Sequence, residues 1–348
     1  MKIIVFVVII TLLSVSLTSI SEEPLQYKQW GLEVINAIEA RNLVPENHSR
    51  VVVAVLDTGV DMYHEELNNS VWDENGLYGF DLTTYSLVGC GYSLLLTKSC
   101  YVEKIPPEYL IGPYDFAGHG SHVSGIISAQ ENGVGILGVS DAIILPIKVM
   151  ATANTVYSNE HIVAMGIYIA ASIPEVRIIS MSLGIGYNNS IVYSSVEYAW
   201  LNGKVLVAAA GNYNNSIPIY PCAYEHVICV SAINENLKPW NEYNTLGTNF
   251  GPFVDLTAPG ANITSVQSHY VLNFGELIYT GGGYRTGSGT SYSVPFVSGV
   301  LVLMYEINPE LTNVQTVRIL KESTTDIGLE GHGTGLLNAK NAVMLSVN

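Results

Sequence analysis

The feature that most constrains this chain is a series of short, wholly apolar runs, each followed by a stretch with helical periodicity. Residues 51–56 read Val-Val-Val-Ala-Val-Leu and end abruptly at Asp57-Thr58-Gly59. Apolar runs return at 142–149, 176–180, 205–210 and 227–232. Helical patterns occupy 119–127, 159–171, 192–201, 290–305 and 314–322. A strand with one face in water alternates apolar and polar residues; an unbroken apolar run has both faces covered. The pattern therefore predicts an α/β domain of three layers, with a mainly parallel central sheet and helices on both faces. In such sheets ligands bind beyond the carboxyl ends of the strands. Asp57 and Asn212 each stand just past the end of a predicted strand.

The first residues are set apart from this pattern. Met1-Lys2 precedes an apolar run over 3–17, and the small residues Ser19 and Ser21 follow. That arrangement predicts a signal peptide over 1–21, a secreted, extracellular product and a mature domain over 22–348. Left uncleaved, the run would be a membrane anchor, but it is short for a span and lacks a basic flank. Acidic residues number 30 against 14 basic ones, for a formal charge of −16. Nucleic-acid binding needs clustered Lys and Arg, and none are present. Four cysteines fall as two local pairs, Cys90 with Cys100 and Cys222 with Cys229. In an exported protein they read as two disulfides, although four cysteines allow three connectivities.

Three segments carry chemistry: Asp57-Thr58-Gly59, then His119-Gly120-Ser121-His122-Val123-Ser124-Gly125, then Gly289-Thr290-Ser291-Tyr292-Ser293-Val294-Pro295. Acyl transfer from a peptide needs a nucleophile, a base to take its proton and a carboxylate to orient that base. Ser291, His119 and Asp57 supply those residue types. Ala209-Ala210-Gly211-Asn212 places an amide donor for a developing oxyanion at the end of an apolar strand, and the Ser291 N–H at a helix start is a second donor.

Taken together these segments resemble the subtilisin-like serine peptidases, the subtilase family, and the order Asp, His, Ser enters through that resemblance. The likeness runs from about 29 to 342 and includes Gln29-Trp30-Gly31-Leu32-Glu33, Ala258-Pro259-Gly260 and Gly335-Leu336-Leu337-Asn338-Ala339. It implies a serine endopeptidase acting on polypeptides as a monomer. It also implies that Ser182-Leu183-Gly184 pairs with substrate backbone. Ala209, Ala210 and Ile219 would line a first specificity pocket suited to an apolar residue, with Tyr213 at its rim. A calcium loop is implied at 130–138, with Glu66, Asn132 and the carbonyls of Gln130, Val134 and Ile136 as ligands; calcium takes six to eight oxygens.

Departures from the family pattern carry expectations of their own. Tyr292 follows the nucleophile where Met is frequent, adding bulk toward the leaving-group side, and Phe296 replaces a frequent His as a packing residue. No separate pro-region stands between signal and mature domain. An insertion is expected over about 68–115, and a second enlarged loop between Gly260 and Ser291. His64, His161, His226 and His332 read as surface or structural, and Asp61 as part of the turn after the strand. A non-catalytic binding module would be expected to lack Ser291, His119 or Asn212. A lipase-type esterase would need a Gly-x-Ser-x-Gly elbow.

Overall fold

The computed structural model describes residues 23–83, 112–151, 159–273 and 276–347. Cys90, Cys100, the signal segment and most of the expected insertion lie outside them. Seven strands form the central sheet: β1 (Val52–Asp57), β2 (Phe80–Asp81), β3 (Ile143–Lys148), β4 (Val176–Met181), β5 (Val205–Ala209), β6 (Val227–Ile233) and β9 (Leu256–Pro259). Their order is β2-β3-β1-β4-β5-β6-β9, and every pairing is parallel.

The unbroken apolar runs follow from two-sided burial. In β1, Val53 and Val55 face one core, whereas Val52, Ala54 and Leu56 face the other. The first core is closed by α3 (His119–Ser128) and α6 (Thr290–Ile307), after the short helices α1 (Trp30–Val34) and α2 (Ala37–Arg41). The second is closed by α4 (Glu160–Ser172) and α5 (Ser190–Leu201). Asn159 and Asn189 start those two helices by accepting hydrogen bonds from first-turn N–H groups, which have no partner inside the helix. Helices α7 (Asn313–Glu322) and α8 (Ala339–Ser346) complete the chain, the first opened by a Thr312–Gln315 capping box. Only α6 among the described helices is long and apolar enough to cross a membrane, and it lies in the core.

Two expectations change. The segment after 68 is not wholly an insertion, because β2 forms the edge of the central sheet beside β3. The enlarged loop before Ser291 is folded into two antiparallel pairs, β10 (Ile263–Val266) with β13 (Tyr284–Gly287) and β11 (Tyr270–Asn273) with β12 (Glu276–Tyr279). A further small pair joins β7 (Asn241–Tyr243) and β8 (Leu246–Gly247). Cys222 and Cys229 are joined as a disulfide.

Candidate active site

β1 runs out at the sheet's switch point, where the chain forms β2 and β3 on one side and later β4 on the other. A crevice is expected at such a point. Asp57, the last residue of β1, is fully buried. Its Oδ1 accepts the Thr58 N–H at 2.7 Å and lies 2.8 Å from His119 Nδ1. A carboxylate only accepts, so the proton sits on Nδ1 and Nε2 keeps its lone pair. Burial opposes charging of the ring, but the field and hydrogen bond of Asp57 outweigh it and hold His119 above the ordinary imidazole range. Gly120 permits the approach: a Cβ there would stand 2.1 Å from the Gly59 carbonyl oxygen and 3.1 Å from Asp57 Cβ.

Asp115, which sequence reasoning passed over, holds the start of α3 in place. One of its oxygens accepts Thr58 Oγ1, Ala117 N and Gly118 N, and the other accepts Ser121 N and Oγ, at 2.8–2.9 Å. Negative charge at a helix N-terminus is favourable, and here it fixes the turn that carries His119. The one signal in the sequence was an acidic residue four positions before the histidine.

Ser291 lies in the first turn of α6. Pro295 inside that helix has no N–H to give the Ser291 carbonyl four residues earlier. Ser182 Oγ donates to that carbonyl instead, at 2.7 Å. The Ser291 hydroxyl in turn donates to the Ser182 carbonyl at 3.3 Å, and among the described residues that is its hydrogen bond. Ser182 thus follows β4 directly and is clasped to the serine. Asn212, just past β5, accepts Thr290 N at 2.9 Å and Thr290 Oγ1 at 2.8 Å through Oδ1. Those two bonds fix the amide plane and direct Nδ2 away from Thr290. Ile219 is buried against Gly184, where an added Cβ would stand 2.3 Å from Ile219 Cγ2. Ala209 and Ala210 are buried and Tyr213 is exposed.

Several other side chains are placed differently from expectation. Tyr292 is not held out toward a leaving group: it is buried, with ring centroids 5.7 Å from His119 and 4.4 Å from His122. Burial, then Arg285 and His119, push His122 well below the ordinary imidazole range, so it is neutral, its Nε2 3.2 Å from the Arg285 carbonyl oxygen. Asp61 is more than a turn residue. Burial opposes its charge, yet His269, bonding through N and Nδ1 at 2.8 Å, holds it below the usual carboxylate range. That bond ties the folded segment before Ser291 to the turn after β1. His64 and His332 are buried, which is the structural one of the two expected alternatives.

At the loop over 130–138, Glu66 Oε1 accepts Tyr284 OH at 2.6 Å and Ile136 N at 3.0 Å. Its Oε2 is buried without a hydrogen bond, as is Oε2 of Glu23, whose Oε1 accepts Gly133 N. Burial first, with Glu23 and Glu65 adding to it, pushes Glu66 up to about 7. The Gln130 and Asn132 side chains close the loop, both donating to the Glu65 carbonyl. Sequence reasoning missed Glu23 altogether.

The model of the subtilase family matches residues 48–339. The minor extracellular protease Epr of Bacillus subtilis is 31% identical, the match covering 90% of this chain and 41% of Epr, so the chain spans less than half of that relative. Thermitase of Thermoactinomyces vulgaris is 30% identical over 91% of this chain and 96% of its own. A solved protease from Pseudoalteromonas arctica superposes with a TM-score of 0.75 at 25% identity, over 93% of this chain and 99% of its own. The chain belongs to the subtilase family of serine-type endopeptidases.

Proposed function

We propose that this chain is a secreted serine endopeptidase in which Ser291 is the nucleophile, His119 the general base and Asp57 the carboxylate that orients it. The observation that carries this reading is the 2.8 Å contact between buried Asp57 and His119 Nδ1, with Ser291 in the first turn of a buried helix whose next residue, Tyr292, has its ring centroid 5.7 Å from that of His119. Rotation of the Ser291 hydroxyl from the Ser182 carbonyl toward Nε2 precedes attack. His119 takes the hydroxyl proton as Oγ bonds to the substrate carbonyl carbon. The oxyanion is met by Asn212 Nδ2 and the Ser291 N–H. Collapse expels the amine, which receives the proton from His119. Water then repeats the sequence on the acyl-enzyme. A fluorophosphonate probe tests the assignment: it should label Ser291 and fail to label Ser291→Ala. Labelling that persists in that variant would refute the role.

The apolar surroundings of Ile219, Ala209 and Ala210 support a preference for a large apolar residue before the cut, with Ser182-Leu183-Gly184 alongside the substrate backbone. Comparable cleavage of Phe- and Arg-terminated peptide amides would contradict it.

Calcium fits the loop over 130–138. Two buried carboxylate oxygens without hydrogen bonds, on Glu66 and Glu23, are the donors a hard cation seeks. With Asn132 and the carbonyls of Gln130, Val134 and Ile136 they would hold the ion. Bound there, calcium neutralises the carboxylates and ties the amino-terminal segment to the loop after α3. Export is supported by the extracellular relative Epr and by the apolar run at 3–17.

A further inference from the structure

Away from the cleft, three ligand-type side chains from separate segments meet at the far end of α6. His48 precedes β1, Asp141 precedes β3 and Glu306 lies in the last turn of the helix. Their nitrogen and oxygen atoms lie within 4.8 Å of one another. His48 Nε2 stands 3.1 Å from Asp141 Oδ1 and 3.4 Å from Glu306 Oε1. The Glu306 side chain is 1% exposed, and its Oε1, directed at His48, accepts no hydrogen bond. His48 Nδ1 lies 2.7 Å from the Pro45 carbonyl. A carbonyl only accepts, so Nδ1 carries a proton, and Nε2 is the ring atom turned to the two carboxylates, with a lone pair to offer in the neutral ring. A carbonyl accepting from the far ring nitrogen in this way is what orients metal-bound histidines.

We propose that His48, Asp141 and Glu306 form a binding site for a divalent transition-metal ion, of which zinc is the type. Without an ion, a proton held between Glu306 and Asp141 joins the two carboxyl groups; a cation that displaces it would be held by all three side chains. The dimensions agree. Zinc bonds of about 2.0–2.1 Å at tetrahedral angles place neighbouring ligand atoms about 3.3 Å apart. The imidazole nitrogen favours zinc over calcium, which seeks oxygens. Asp141 is 47% exposed and leaves an open side through which an ion enters and water completes the coordination. The nearby guanidiniums oppose a cation but are engaged elsewhere: Arg50 donates to the carbonyls of Asp141, Ala142 and Asn69, and Arg41 to the Gly138 carbonyl and Glu131. Glu306 follows Ser291 by 15 positions in one helix, about 22 Å along its axis. The ion would therefore staple three segments without entering the reaction.

The test uses the full-length chain carrying Ser291→Ala to prevent self-digestion, with calcium in excess. Zinc chloride is titrated by calorimetry, and thermal unfolding is followed in parallel. The expected result is one zinc per chain, a raised melting temperature, and at least a tenfold loss of affinity in both His48→Asn and Asp141→Asn. Circular dichroism verifies that these partly exposed substitutions fold. No binding at about 100 μM zinc, or binding unchanged in both variants, would overturn the proposal. So would a response to calcium but not zinc at these residues.

Discussion

Asp115→Asn removes one formal charge from beneath the helix that carries His119 and changes almost no volume. The native carboxylate accepts five hydrogen bonds, three on one oxygen and two on the other. An asparagine has one accepting oxygen, so at least the pair on one side is lost and an NH2 faces donors. Hydrogen bonds to a charged group contribute about 1.5–3 kcal/mol each, giving about 3–6 kcal/mol. That is a large share of a typical domain's 5–15 kcal/mol. Urea unfolding in a Ser291→Ala background reads the stability, and peptide hydrolysis in the native background reads kcat. Displacement of His119 by about 1 Å should lower kcat about 10²-fold. Because Asp115 is one of the charges that raise the His119 pKa, the acid limb of the rate should also move to lower pH. A stability loss below about 1 kcal/mol with kcat intact would refute the reasoning.

Four further outcomes are expected. If Asn212 meets the oxyanion as proposed, Asn212→Ala should lower kcat with little change in KM, on the scale of about 10²–10³ that loss of one oxyanion donor costs. Activity requires neutral His119, whose pKa lies above the ordinary imidazole value, so rates should fall as pH drops through a midpoint above about 6.5. Asp57→Asn should lower that midpoint, because the anion that favours the imidazolium is gone, and reduce kcat by about 10⁴; an unmoved midpoint would detach the limb from His119. In zinc-free buffer with calcium present, excess chelator should lower the melting temperature of the native chain, and Glu23→Gln with Glu66→Gln should abolish that response. A chelator effect that survives the double substitution would locate the ion elsewhere.

The layers and the order of elements were legible because two-sided burial leaves a plain mark: β1 has no polar residue before Asp57. The reactive types were legible because few side chains can perform acyl transfer, and the motifs around Asp57, His119 and Ser291 are distinctive. Asp115 was not legible. Its role rests on Thr58, 57 positions earlier, and on a helix start that exists only once the chain is folded. Glu23 likewise meets Gly133 across 110 positions.

Periodicity and side-chain type are local properties, so the chain alone marks β1, β3 to β6 and α3 to α7 and the residues that could do chemistry. Tertiary structure decided what those residues touch. It set the Ser182 hydroxyl to replace the hydrogen bond that Pro295 withholds from Ser291, and Thr290 to hold the Asn212 amide. It turned the stretch before Ser291 into paired strands anchored by Asp61 and His269, and brought His48, Asp141 and Glu306 to one point. Such contacts join residues tens to hundreds of positions apart, and only the closed three-layer packing makes them neighbours.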